Sequence, residues 1–350
     1  MIEIPGDYLE GGGQILRTAV SLSCITHQPI RVFNIRAKRK EAGLKPQHLY
    51  TLKALAHLFK AKTQGLELKS REIIFIPTVN SIPEKFLEID LKTSGAIGLA
   101  LQPLLLAAAF RSGGLSLDIK GGTCGLGAVP VDYYNYVVFP ILSRSRLKAN
   151  LEILKRGYYP KGGGRVKVEI EPLKEPRQIM LNDAGKVTRI KGISIASDIL
   201  FSRKVSERQA QNATALLKSK LDVPVEIKTE YAKTLSVGTE INLTAYTENN
   251  CILWSDVRGE KGKSAEKVGE EAAQKLIKEI NSGAACDFHL ADNLIPWLAL
   301  LGGTIKTSLI SLHTQTNIWV CELFLGKRFQ VQDTTVTCLG DSFSVYNSQH

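Results

Sequence analysis

His313 is the residue whose setting in this sequence most favours chemistry. The stretch 309–320 reads LISLHTQTNIWV. An apolar, strand-like run from Thr307 to Leu312 leads to His313, the polar turn Thr314-Gln315-Thr316-Asn317 follows, and a helix-length apolar segment runs from Ile318 to Leu325. Thr314 or Thr316 would make a good helix N-cap, so the pattern predicts His313 where a strand ends and a helix begins, beside unsatisfied backbone N–H groups. The positive end of a helix attracts phosphate and disfavours imidazolium. A neutral imidazole facing an anion there can act as a nucleophile toward phosphorus. A capping or packing histidine is the alternative.

A second group of candidates lies in block 10–24, EGGGQILRTAVSLSC. Three glycines run into a segment with Ile15, Leu16, Ala19, Val20 and Leu22 on one helical stripe. Glycine lets backbone approach a ligand and leaves N–H groups free at a helix mouth. Glu10 before the glycines, with Gln14 and Arg17 in the first two turns, would surround a phosphate or its metal. A Gly-rich turn with a solvated Glu is the plainer reading, and the block lacks the GK[ST] ending of a P-loop. The loop 36–48, RAKRKEAGLKPQH, carries Arg36, Lys38, Arg39, Lys40 and Lys45. It reads either as solvated basic surface or as a phosphate clamp. GTCGLG resembles a dinucleotide fingerprint only superficially, because Pro130 interrupts the helix start.

The elements that must position these residues follow a recurring order. Pro29 to Ile35 reads as a strand, a helix runs from about Gln47 to Lys60, and a hairpin occupies 66–77, which makes a β-α-β-α-ββ unit. A second copy has a strand at Phe86 to Leu91, the helix SGAIGLALQPLLLAAAF, a strand at Leu115 to Ile119, a loop into a helix ending at Leu142, and a hairpin from Leu151 to Ile170. A third has its first helix at 289–303, a strand at 304–310, and His313 opening the second helix. Gln14, Gln102 and Asn293 then fall early in first helices, and Arg39, Asp132 and His313 near strand-to-second-helix turns. The fold class is α+β, with three repeated units around a pseudo-threefold axis. Residues 183–280 break the pattern, with turns at 175–185 as their entrance, a strand at 190–196 and Ser206 as the N-cap of a helix ending at Leu221. The expected division is a discontinuous large domain, 1–182 and 281–340, with a small α/β domain inserted at 183–280.

Composition sets the compartment and the partners. The 350 residues hold 45 Lys+Arg against 34 Asp+Glu, a formal charge of +11, which suits a polyanion such as nucleic acid. The six cysteines form no CxxC pair and read as reduced, buried thiols of a cytoplasmic protein. No charged-then-apolar leader opens the chain. The most apolar segment, Gly95 to Phe110, is short of the ~20 residues of a membrane span and reads as a buried helix.

EGGGQILRTAVSLS, IRAKRKEAGLKPQHL, SGAIGLALQPLL, GGTCGLGAVPVDYY, YYPKGGGRV, GEKGKSAEKVG, HLADNLIPWLALLGG and LHTQTNIWVCELFL together resemble, in order, the RNA 3'-terminal phosphate cyclase family. The resemblance implies three repeats with a small inserted domain. It also implies ATP-dependent conversion of an RNA 3'-phosphate to a 2',3'-cyclic phosphate through histidine–AMP and RNA–adenylate intermediates. On that resemblance His313 is the nucleophile and Glu10 the ligand of Mg²⁺ or Mn²⁺. Arg17, Arg36 and Arg39 meet phosphoryl oxygens, and Gln14, Gln47 and Gln102 line the same cleft. Val129, Tyr133 and His289 match positions around the adenine, and Pro130, Asp132, Asp292 and Asn293 belong to the same ATP- and phosphate-binding set. His289 stands where some relatives are aromatic, and Asp292-Asn293 where the family has Asp-Gln. The implied partners are ATP and RNA ending in a 3'-phosphate, with no membrane; homo-oligomer formation stays open. Relatives that lack the nucleophilic histidine act as RNA-binding factors in ribosome assembly, and an enolpyruvyl transferase built from the same repeats is a further alternative.

Overall fold

The computed structural model describes residues 1–78, 84–125 and 127–339. The chain opens with β1 (Ile2–Pro5), α1 (Gly13–Thr26), β2 (Ile30–Phe33), α2 (Pro46–Leu58), β3 (Lys62–Gln64) and β4 (Ile73–Ile76). β1 and β2 run parallel, β4 pairs antiparallel with β2 and with β3, and the sheet order is β1-β2-β4-β3. Along β2, Ile30 and Val32 are buried while Arg31 and Phe33 are half-buried. This period of two puts one face of the sheet on the core.

The same connectivity follows in β5 (Phe86–Asp90), α3 (Ile97–Ala109), β6 (Leu115–Gly121), a π-helical turn at Tyr134–Val138 that runs into α4 (Phe139–Ser143), β7 (Ala149–Lys155) and β8 (Gly164–Ile170). Its sheet order is β5-β6-β8-β7, again with the first pair parallel. A third sheet begins at β9 (Ile179–Leu181), inside the stretch read from sequence as entrance turns.

Before that sheet is completed, the chain makes β10 (Val187–Ser197), α5 (Val205–Lys220), β11 (Val225–Ala232), β12 (Thr239–Thr247), β13 (Ile252–Arg258) and α6 (Ala265–Asn281). These strands form their own sheet, β11-β10-β12-β13. They close over a separate apolar cluster that includes Ile190, Leu217, Leu243, Leu253 and Leu276. The N-cap of α5 is Lys204, not Ser206. Ser206 is fully buried one step inside the helix and donates its hydroxyl to the Ser194 carbonyl at 2.6 Å, so packing against β10 set its role.

The chain then returns with α7 (Phe288–Leu301), β14 (Gly303–Lys306), α8 (Leu312–Leu325), β15 (Phe329–Gln332) and β16 (Thr335–Cys338). β14 pairs parallel with β9 and antiparallel with β16 in the order β9-β14-β16-β15. The expected strand at 304–310 is therefore shorter, and α8 begins at Leu312, ahead of the expected caps Thr314 and Thr316. Ser311 is the cap, its Oγ accepting from the Thr314 amide at 2.9 Å. Ser311 outcompetes Thr314 and Thr316 because Thr316 instead donates back to the Leu312 carbonyl at 2.6 Å, already inside the helix. α1, α3, α7 and α8 bury their apolar faces in one large core. All six cysteines are free and buried. Among the described residues, no helix is long and apolar enough to cross a membrane.

Candidate active site

A cleft of about 500 Å³ opens where the N-terminal halves of α1, α3, α7 and α8 converge. It is lined by Glu10, Gln14, Arg17, Arg36, Arg39, Gln47, Gln102, Val129, His289, Asp292, Asn293 and His313, twelve residues that the sequence had singled out.

The start of α1 has no side-chain cap; extended Gly12 precedes it. Its first N–H groups are thus left for a ligand. Gly13 is required there, because a Cβ would stand 2.4 Å from His48 Nε2. From α1 a buried polar chain crosses to the other helices. Arg17 donates from Nη2 to Gln14 Oε1 at 2.7 Å and from Nε to Gln102 Oε1 at 2.9 Å, and Gln102 Nε2 donates to Asn293 Oδ1 at 3.1 Å. Asn293, the shorter amide, still completes the chain, its Nδ2 donating to the His289 carbonyl at 2.8 Å. Burial lowers the Arg17 pKa to about 10, which leaves the guanidinium charged at neutral pH.

His313 is the second residue of α8, and Asp292 fixes that helix start. Asp292 Oδ1 accepts from Ser311 Oγ at 2.5 Å and from Thr314 Oγ1 at 2.6 Å. Pro296 in α7 has no N–H for the Asp292 carbonyl four residues back, and Asn317 Nδ2 takes that carbonyl at 2.7 Å. One proline thus creates the acceptor that locks α8 onto α7. Burial holds the His313 pKa below the ordinary imidazole value; Asp292 opposes the shift, while Arg17 and Arg39 reinforce it. The neutral, nucleophilic form is favoured.

Glu10 sits beside it. Its Oε1 accepts from Arg39 Nη2, and its Oε2 lies 2.6 Å from His313 Nδ1. That approach is not aligned as a hydrogen bond, and Glu10 Oε2, His313 Nδ1 and Gln14 Nε2 are all buried with no hydrogen-bond partner. An orphaned buried polar atom costs on the order of 1–3 kcal/mol. Three of them in one cleft mark a surface built to meet a polar ligand.

The remaining residues are placed as follows. Gln47 Oε1 accepts from the Ala96 amide at 3.2 Å, tying α2 to the start of α3. Arg36 lines the cleft but commits Nη1 to the carbonyls of Glu41 and Gly43, at 2.7 and 2.9 Å, so it shapes the basic loop. Val129 and Phe288 add apolar lining to the cleft, with the Phe288 and His289 rings 3.9 Å apart between centroids. Burial takes His289 down to about 4, so it is neutral.

Three expected members do not line the cleft. Asp132 is buried and paired with Arg156 through both carboxylate oxygens. Tyr133 is fully buried and donates its hydroxyl to Asp287 Oδ1 at 2.9 Å; Asp287 in turn caps α7 by accepting from the Leu290 amide at 2.9 Å. Pro130 is buried in the turn that enters the π-helical segment, where its carbonyl accepts from the Tyr133 amide at 3.1 Å. These residues adjoin Val129 in sequence, but the turn aims their side chains away, and Tyr134 lines the cleft instead.

Sequence reasoning missed His48, Phe288 and Ser311, which also line the cleft, as does Lys45 of the basic loop. His48 is buried and held down to about 3, chiefly by burial and then by Arg17, so it is a neutral acceptor; its Nδ1 takes the Lys45 amide at 3.3 Å. The clue to it was the glycine at 13, which leaves room for a ring. Comparable cavities lie between β7 and β11 and beside Leu115 and Leu147, but neither gathers orphaned polar groups around a histidine.

The cleft thus combines uncapped helix starts, Arg17, Arg39 and Lys45 for a polyanion, an apolar wall and a neutral histidine. A family model described as RNA 3'-terminal phosphate cyclase matches residues 8–331. A protein of Pyrococcus abyssi named RNA 3'-terminal phosphate cyclase is 44% identical over 332 residues, covering 95% of each chain. Similar proteins of the same name occur in Pyrococcus furiosus, 42% identical with 95% of each chain covered, and in Nitrosospira multiformis, 41% identical with 95% of this chain and 93% of that one covered. The chain belongs to the RNA 3'-terminal phosphate cyclase family.

Proposed function

We propose that the protein converts an RNA 3'-terminal phosphate to a 2',3'-cyclic phosphate at the expense of ATP, with His313 as the covalent nucleophile. The observation that carries this reading is the neutral His313 at a helix start, facing a cleft with three orphaned polar atoms. The Glu10 carboxylate beside Nδ1 favours the tautomer with its proton there, leaving the Nε2 lone pair to attack. Nε2 bonds to the α-phosphorus of ATP, the bond to the bridging oxygen breaks, and pyrophosphate leaves. An oxygen of the RNA 3'-phosphate then displaces the imidazole, giving an RNA–adenylate and restoring neutral His313. Finally the neighbouring 2'-hydroxyl oxygen attacks the activated phosphorus, gives its proton to water and expels AMP. Arg17, Arg39 and the N–H groups of α1 hold the phosphoryl oxygens, whose charge moves at each step. Val129, Phe288 and His289 face the adenine. Incubation with labelled ATP tests this: an acid-labile, alkali-stable label on the chain is expected, and an unlabelled chain would favour a non-catalytic RNA-binding role.

A metal fits one place in this arrangement. Among the described residues no three His, Cys, Asp or Glu side chains cluster to form a protein cage. Glu10 Oε2, buried and orphaned, can supply one oxygen to Mg²⁺ or Mn²⁺, with phosphate oxygens and water completing the shell. A bound divalent ion would neutralise phosphate charge. Glu10→Ala should therefore weaken AMP attachment about tenfold or more and raise the metal concentration needed. An unchanged metal dependence would remove Glu10 from that role.

The basic loop gives a graded test. Arg39→Ala should slow single-turnover cyclisation roughly ten- to hundredfold, as expected for lost charge-assisted hydrogen bonds of about 1.5–3 kcal/mol. Arg36→Ala should do the same by releasing the loop carbonyls it holds. Lys38→Ala and Lys40→Ala should change the rate less than about twofold. Equal small effects at all four positions would leave the loop as ordinary basic surface.

We also propose that the three like-ordered sheets surround a pseudo-threefold axis in a large domain, 1–182 and 281–340, with 183–280 as an inserted domain; residue 340 lies outside the described residues. The shared sheet order and the separate apolar cluster support this. Limited proteolysis should cut first near 183 and 281, and early cuts inside either sheet set would contradict it. The reduced cysteines support a cytoplasmic location.

A further inference from the structure

The cleft accounts for phosphates and an adenine wall but leaves an apolar rim beside its nucleophile unexplained. Leu312, one residue before His313, is 53% exposed; Leu309 is 55% exposed, and Tyr8 and Leu9, just before Glu10, are 41% and 37% exposed. Tyr8 stacks on Trp319 with ring centroids 4.1 Å apart and planes at 27°. On α8, Leu312, Gln315 and Trp319 share the outward face, with Trp319 only half-buried. Trp319 lies six residues beyond His313 on another face of the same helix, about 9 Å along its axis, and Tyr8 lies two residues before Glu10, whose Oε2 is 2.6 Å from His313 Nδ1. The turn that carries Tyr8 is held in place. Leu9 sits in the left-handed region at φ 46°, and the Gly11 amide donates to the Tyr8 carbonyl at 2.9 Å.

We infer that the Tyr8–Trp319 pair is the stacking platform for the terminal base of the RNA substrate. The inference rests on the cyclase reading. A 3'-phosphate that reaches His313–AMP brings its own nucleoside close to His313, and Tyr8, two residues before the cleft residue Glu10 in the chain, offers a half-exposed aromatic face on that rim. A stacked π-face without charge accepts any base, since every base offers a π-face. The other side of the cleft, at Val129, Phe288 and His289, is left for the adenine of ATP.

The test compares two 3'-phosphorylated oligonucleotides of one sequence, one ending in an ordinary nucleoside and one in an abasic ribose that keeps its 2'-hydroxyl. Equilibrium binding, measured without ATP on the full chain, should favour the ordinary end about tenfold in the wild type. Tyr8→Ala should abolish that preference by weakening the ordinary end alone, and Tyr8→Trp should restore it. AMP attachment to Tyr8→Ala should keep the wild-type rate and ATP dependence, which also reports an intact fold. Equal weakening of both oligonucleotides by Tyr8→Ala, or no preference in the wild type, would overturn the platform. So would a raised ATP requirement for AMP attachment, which would assign the pair to adenine. Failure of AMP attachment in the wild type would instead count against the proposed chemistry, while the binding comparison would still decide the platform.

Discussion

His313→Ala should abolish both AMP attachment and cyclisation, by at least about 10⁴-fold, while the chain stays folded. Removing a covalent nucleophile eliminates a step, whereas removing an ordinary hydrogen bond costs about 1 kcal/mol. The fold should tolerate the change. The side chain is 42% exposed, and its Nδ1 has no hydrogen-bond partner to lose. Helix α8 is capped by Ser311 and anchored by Asp292 and Asn317, independently of the imidazole. A change in stability of about 1 kcal/mol or less is expected by thermal or denaturant unfolding. Residual AMP attachment in the variant would move the nucleophile elsewhere, and collapse of the fold would mean that His313 is structural.

Asp292→Ala should also be damaging, for a different reason. Asp292 joins α7 to the first turn of α8, its Oδ1 taking both the Ser311 and the Thr314 hydroxyls. Thr314 is fully buried, so loss of the acceptor leaves its hydroxyl with only Ser311 Oγ, 3.1 Å away. A stability loss of about 2 kcal/mol is expected from the broken buried contacts. The larger effect is on rate: misplacing a reacting atom by about 1 Å can cost roughly 10²-fold. Asp292→Asn keeps an oxygen acceptor and should recover most of both. It also removes the carboxylate that opposes the lowering of the His313 pKa, so the imidazole stays neutral. Unfolding curves and single-turnover AMP attachment on both variants check this. An alanine variant that loses stability but keeps its rate would separate Asp292 from the nucleophile's placement.

Much of the site was legible because its residue types and local positions carry the chemistry. Glu10, Gln14, Arg17 and His313 each sit next to a glycine run or a helix start, and all four line the cleft. Their connection was not legible. The chain from Gln14 through Arg17 and Gln102 to Asn293 needs three helices brought together from distant parts of the sequence. The start of α8 was misplaced because three hydroxyl residues compete for the cap within six positions. Tertiary contacts decide among them: Thr316 bonds backward, and Asn317 takes the carbonyl that Pro296 leaves free. β9 was missed because it is three residues long and its partner β14 comes only after the whole β10-to-α6 segment. Asp132 and Tyr133, neighbours of Val129 in sequence, stand outside the cleft lining because they turn inward, to Arg156 and Asp287.

The central claim is a covalent bond between AMP and one particular histidine. Wild-type protein incubated with ATP and a divalent metal, then digested under alkaline conditions, should yield a single AMP-bearing peptide that contains His313, its modification lost on acid treatment. AMP on a peptide carrying His48 or His289, or no adduct on any peptide, would contradict the account.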